Sequence, residues 1–218
     1  MTTKTKKTPQ TNLQPAITEL HKIYKKANEI LFNNELPEDV VITIQSRGKR
    51  KGTLGWMYTK PVWEAGEDKE LYEINIASEA LKRDYFEIIT TLIHEMVHVW
   101  NAVGEVKDTS RGNSYHNKRF LASAIEAGME YTHERPHEKI GYSAVTLTKE
   151  TQNKIKFWGI NKEAFAVSRK DLNAGGQAKK KSNIIKWCCP SCDLIMRSSK
   201  PNVNVKCIDC DEQLQQAE

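Results

Sequence analysis

The chain has 218 residues, 39% of them hydrophobic and 28% charged, with 33 Lys/Arg against 28 Asp/Glu for a formal net charge of +5. This is the balance of a globular chain of one domain, or of one domain plus a small appendage, and it excludes a wholly disordered polypeptide. No run approaches the roughly 18 apolar residues of a membrane span. The polar start MTTKTKKTPQTN lacks the apolar core of a secretory signal, so the expected location is cytoplasmic, nucleoid-associated or, for a viral chain, in the host cytoplasm.

In chain order, residues 1–12 read as a disordered tail. Ile17, Leu20, Ile23, Tyr24, Ala27, Ile30 and Leu31 then recur at helical spacing over residues 15–32, with Pro15 suited to the first turn and Asn33-Asn34 ending the helix. Residues 40–45 are rich in β-branched side chains and predict a strand. Residues 46–52 form a basic turn whose Arg47, Lys49, Arg50 and Lys51 read as solvated. Strands follow over 53–59 and 72–77, then a long helix over 81–101. Residues 103–113 read as a polar loop. Ser114 is the expected N-cap of a helix running to about 127, where Gly128 stops it. A further helix is expected over 149–158. Residues 168–182, with Gly175-Gly176 and Lys179-Lys180-Lys181, read as a flexible basic linker.

The long helix carries His94-Glu95-Met96-Val97-His98. Residues four apart share one helix face, so both imidazoles can reach one ion, and Zn²⁺ favours nitrogen ligands. Glu95 is placed to address a water at the metal rather than the metal itself. This H-E-x-x-H pattern is the signature of zinc peptidases, in which the glutamate moves protons between water and leaving amine. Ile-Ile-Thr-Thr-Leu-Ile before the motif and Val-Trp after it predict a partly buried helix, where such polar groups are costly without a purpose. A third ligand is required. The metzincin continuation is excluded, because Asn101 and Gly104 stand where it needs glycine and histidine. Glu105, Glu126, His133 and His137 are available, but His116, at the expected start of the next helix, is better placed.

With these residues in view, the chain resembles the SprT-like (Spartan-related) zinc metallopeptidases. The likeness rests on His94, Glu95 and His98, then His116 with Phe120 four residues on, and upstream on Leu54-Gly55-Trp56 and Glu73-Ile74-Asn75-Ile76. It spans roughly residues 15–158. The family usually carries glycine after the third histidine, where this chain has Asn117. The resemblance implies an α+β, zincin-like fold of helices packed on a small, mostly antiparallel sheet. It also implies His94, His98 and His116 as ligands of a catalytic zinc, Glu95 as catalytic base, and DNA-associated proteins as substrates. A second electrophile is not assigned; Tyr115 and Tyr142 are candidates.

All five cysteines lie after residue 187. Cys189-Pro190-Ser191-Cys192 and Cys207-Ile208-Asp209-Cys210 are two C-x-x-C pairs that can face one another around a structural zinc, leaving Cys188 spare. A redox role is disfavoured because no βαβ pattern surrounds either pair. A module this short would draw much of its folding free energy from the metal. Residues 154–210 carry 12 Lys/Arg against 4 Asp/Glu, which points to a polyanion. Lys179, Lys180, Lys181, Lys186, Arg197, Lys200 and Lys206 are the expected contacts to single- or double-stranded DNA, with Trp187 for stacking. The expected organisation is a tail (1–12), a metallopeptidase domain (13–160), a basic linker (161–183) and a zinc ribbon (184–214). The expected cofactors are one catalytic and one structural zinc. The competing reading is a nucleic-acid-binding adaptor or transcription-related regulator with little or no protease activity.

Overall fold

The computed structural model describes residues 10–50, 52–171, 184–192 and 194–217. They divide into two compact units, one within residues 1–172 and one within 173–218. The expected tail (residues 1–9 of it) and most of the expected basic linker, with Lys179, Lys180 and Lys181, lie outside the described residues.

The first unit is α+β. Helix α1 (Gln14–Leu31) begins with Pro15 in its first turn and buries Ala16, Leu20, Ile23, Tyr24 and Ala27 on one face. A sheet follows from β1 (Val41–Gln45), β2 (Gly55–Met57), a small hairpin of β3 (Trp63–Glu64) and β4 (Glu70–Leu71), and β5 (Glu73–Ala77). Strand β5 is central: β1 pairs with it in parallel and β2 antiparallel, so β2 is an end strand. The alternation of β5 sorts its side chains, with Ile74 and Ile76 joining the apolar core. Glu73 and Asn75 point the other way and are satisfied there: the Trp63 indole N–H donates to Glu73 at 2.6 Å, and the Asn75 amide donates to Glu73 at 2.5 Å.

After a short 3-10 turn (Ser78–Lys82), α2 (Tyr85–Val103) crosses the unit. It begins at Asp84, not near Leu81, because Asp84 and Glu87 form a reciprocal capping box that fixes the first turn. Ile88, Ile89, Leu92, Ile93, Met96, Val97 and Val99 are buried along its length, and it packs on α1, β2 and β5. A β-ribbon follows, β6 (Thr109–Ser110) with β7 (Tyr115–His116), then α3 (Lys118–Glu126), β8 (Met129–Glu130) paired with β9 (Thr146–Leu147), and α4 (Lys149–Lys156).

Two sequence expectations need correction. Ser114 does not cap α3; Asn117 does, in extended conformation (φ −90°, ψ −174°), its side chain accepting from the Arg119 and Phe120 amides. His116 therefore sits on a strand just before the helix. Residues 161–171 are also packed structure: a turn over Lys162–Phe165 buries Ala164 and Phe165, and the Asn161 amide donates to Glu19 of α1.

The second unit contains β10 (Ile185–Cys188), β11 (Ile195–Ser198), β12 (Lys206–Cys207), β13 (Glu212–Gln213) and β14 (Gln215–Gln216). Strand β10 lies between β11 and β14, and β12 pairs with β13, all antiparallel. Its small core is Trp187, Cys189, Cys207 and Leu214. Among the described residues no helix is long and apolar enough to cross a membrane.

Candidate metal centre

Helix α2 delivers His94 and His98 one turn apart on one face. The third imidazole arrives from β7. Two sides of the His116 backbone are tied: its amide donates to the Ile140 carbonyl at 3.1 Å, and its carbonyl accepts from the Tyr142 amide at 3.0 Å. Gly141 makes this possible. It sits at φ +63°, and a Cβ there would stand 2.0 Å from the His116 carbonyl oxygen.

The three rings converge through like atoms. His94 Nε2 lies 3.0 Å and His98 Nε2 3.1 Å from His116 Nε2. A proton on one nitrogen can serve one such contact but not both. Tetrahedral zinc with ligands at ~2.0–2.1 Å needs nitrogens ~3.3–3.4 Å apart, so the three atoms fit one zinc ion with a few tenths of an ångström of relaxation. The protonation state agrees. Burial, reinforced by the other two imidazoles, holds His94 well below the usual 6.5; burial and His98 hold His116 at about 4. Both rings are therefore neutral and offer lone pairs. Phe120 of α3 packs against all three, with ring centroids 4.6–4.7 Å away.

Sequence reading missed Asp108. Its carboxylate lies 2.6 Å from His98 Nδ1, accepts from the Asn101 amide at 3.1 Å, and Asn101 accepts in turn from Ser123 Oγ at 2.7 Å. A carboxylate on the far nitrogen of a ligand histidine fixes its tautomer and raises its basicity. The only available signal was an acid in a turn short enough to bring the chain back onto α2. Of the other candidates, Glu105, Glu126, His133 and His137 are exposed and stand outside the cluster.

Glu95 lies on the same helix, only 5% exposed. Burial raises its carboxyl to about 7, with Asp108 adding to the rise and His98 opposing it. The histidines and Glu95 open into a cleft of about 1120 Å³, bounded by β2 on one side and by the first turns of α2 at one end. Gly55 of β2 lies against Glu95: a Cβ there would meet Thr91 Cγ2 at 2.8 Å and Glu95 Oε1 at 2.9 Å. Neither Tyr115 nor Tyr142 lines the cleft; Tyr142 stacks on Tyr131.

In the second unit, Cys189, Cys192, Cys207 and Cys210 bring their sulfurs within 4.8 Å of one another, and Cys188 stands apart on β10. Cys192 and Cys207 are 3.7 Å apart, close to the ~3.8 Å that tetrahedral zinc with 2.3 Å sulfur bonds requires. The Ser191 amide donates to the Cys189 sulfur and lowers its pKa. The cluster can hold zinc as a ribbon does. Trp187 is a correction. It alternates with Lys186 on β10 and points into the core, 9% exposed, so it offers no stacking face. Lys186 and Arg197 are exposed cross-strand partners, Lys200 is exposed, and Lys206 is paired with Asp211 at 2.6 Å.

The SprT-like family model matches residues 20–139, more than half of the chain, and takes in all of β1 to α3. The chain therefore belongs to the SprT-like family. No curated protein and no solved structure matches it.

Proposed function

We propose that the chain is a zinc-dependent endopeptidase that acts on DNA-associated proteins, with His94, His98 and His116 as ligands of the catalytic zinc and Cys189, Cys192, Cys207 and Cys210 as ligands of a second, structural zinc. The observation that carries this reading is the convergence of three imidazole nitrogens beside a buried glutamate in an open cleft. Zinc bound there would acidify a water and polarise a peptide carbonyl. Glu95, its pKa raised to about 7 by burial, takes a proton from the water and returns it to the leaving amine. Asp108 keeps His98 oriented. Strand β2 is an end strand beside the cleft, and among the described residues no strand pairs with its outer edge, so an extended substrate can add there by backbone hydrogen bonds.

DNA association rests on the basic C-terminal region, of which Lys186, Arg197 and Lys200 present exposed cations; Lys179, Lys180 and Lys181 extend the same charge in sequence. The test is digestion of a basic DNA-binding protein, with and without single- or double-stranded DNA, by the parent and by Glu95→Gln. The variant should lose roughly 10²–10⁴-fold in rate while keeping its zinc and its DNA binding. Equal cleavage by both would overturn the mechanism. Zinc-loaded parent that cleaves nothing but binds DNA with a steep salt dependence would favour the adaptor reading instead.

A further inference from the structure

Arg83, a cation in the cleft, makes no direct ion pair among the described residues. Arg83 ends the 3-10 turn before α2 and lines the cleft together with Thr91, His94 and Glu95. Its Nε donates to the Ala80 carbonyl at 3.0 Å, and one Nη2 hydrogen goes to Thr91 Oγ1 at 2.8 Å. Thr91 is held in turn, since its hydroxyl donates to the Glu87 carbonyl at 3.1 Å. The guanidinium is thus fixed by two neutral oxygens. A guanidinium has five N–H donors, so three remain without an acceptor among the described residues, and Nη1, which carries two of them, is not sealed from solvent. Among the described residues no carboxylate lies within ion-pairing distance of it. Glu87 of α2 favours the charge electrostatically, but its carboxylate is committed to capping the Asp84 amide. Burial has partly stripped the group of water and lowers its pKa. A half-buried, rigidly held cation facing a cleft is costly unless an anion enters the cleft.

Its position sets what that anion is. Thr91 precedes Glu95 by four helical residues, an axial rise of about 6 Å. An extended peptide advances about 3.3 Å per residue. We propose that Arg83 is a specificity-determining residue that takes the carboxylate of an Asp or Glu side chain one or two residues from the scissile bond. The proposal rests on the peptidase reading and deepens it. It concerns one subsite, and so is compatible with substrates that are basic overall.

The test uses the full zinc-loaded chain and a set of matched peptides carrying Asp, Asn or Lys at each of the two positions on either side of the cleavage point. The readouts are kcat/KM for the parent, measured with DNA present, and peptide binding to the Glu95→Gln chain by fluorescence anisotropy. At one position Asp should be favoured over Asn by about tenfold in both readouts. Arg83→Gln, made in each background, should erase that ratio, Arg83→Lys should keep part of it, and Arg83→Glu should invert it in favour of Lys. Melting temperatures confirm that the variants fold, and a purely structural role for Arg83 would not move a ratio between peptides. Absence of any Asp preference in the parent chain's cleavage and in Glu95→Gln binding, or a preference that survives Arg83→Gln, would overturn the proposal. If the parent cleaves none of the peptides but Glu95→Gln binds the Asp peptide in an Arg83-dependent way, the recognition stands and the peptidase reading fails.

Discussion

Single atoms at the metal centre carry more than their number suggests. Asp108 is one carboxylate outside the motif, yet it decides which nitrogen of His98 faces the other imidazoles. Replacing it with Asn keeps the shape but reverses the polarity of one contact. Asp108→Asn should weaken zinc binding by about 10–100-fold, measured by competition with a chromophoric chelator, while His94 and His116 keep residual affinity. Gly55 acts by having no side chain. In Gly55→Ala the new methyl would stand under 3 Å from both Thr91 and Glu95, and backbone from Asn75 blocks retreat at 3.0 Å. Displacing the base by several tenths of an ångström should cost on the order of 10²-fold in kcat, with the zinc content unchanged. A loss of zinc instead would show that Gly55 supports the ligands rather than the base. At this scale the spacing of His94, Glu95 and His98 was legible because a helix converts spacing directly into geometry. Asp108 was not, because its role depends on a loop path that no periodicity records.

At the scale of elements, the question is what holds the turn after β1 at the cleft. That turn carries Arg50, which stacks on Trp56 at 4.6 Å, and both line the cleft. Its anchor is Glu79 in the 3-10 turn, which accepts from Ser46 Oγ at 2.7 Å and the Arg47 amide at 3.1 Å, with Arg169 3.5 Å away. Arg47 itself pairs with Asp171. Burial alone would raise the Glu79 carboxyl; the hydrogen bonds and Arg169 outweigh it and hold it below the usual 4.5. A carboxyl whose pKa falls on folding stabilises the fold above its unfolded value, and that contribution is lost as pH falls through the lower folded value. Glu79→Gln should therefore cost about 1–3 kcal/mol at neutral pH. The gap between parent and variant should narrow in denaturant titrations as pH is lowered from 6 through 4.5 and below. Helices α1 and α2 were legible from their apolar spacing, β1 from its β-branched residues and β5 from its alternation. The start of α2 was misjudged because Leu81 continues the apolar pattern into a turn that Asp84 then separates from the helix. The short β6–β7 and β8–β9 pairs are two residues a strand, too brief for alternation to show.

Taken whole, the chain holds two cores of very different kinds. The first unit is held by a large apolar cluster running from Ala16 to Phe165, and Phe120 of that cluster packs against His94, His98 and His116. Among the described residues the second has four buried core residues, two of them from the four-cysteine group. The division was visible in sequence as a shift from balanced charge to basic, cysteine-bearing chain. The outer limit was not, because Gln215 and Gln216 carry no apolar signal and pair with β10 through backbone alone. Burial on the second unit's scale falls short of the ~1–2 kcal/mol of backbone entropy lost per ordered residue, and a metal held by the four cysteines would supply the difference. Chelation should therefore separate the two units. In hydrogen exchange followed by mass spectrometry, excess chelator should strip protection from β10, β11 and β14, whereas amides of α1, β5 and the apolar stretch of α2 stay protected. Readdition of zinc should restore the lost protection. If β10 and β11 stay protected without metal, the four cysteines are not what folds the second unit; if α2 and β5 lose protection too, the histidine centre is part of the first unit's stability rather than a site added to a finished fold.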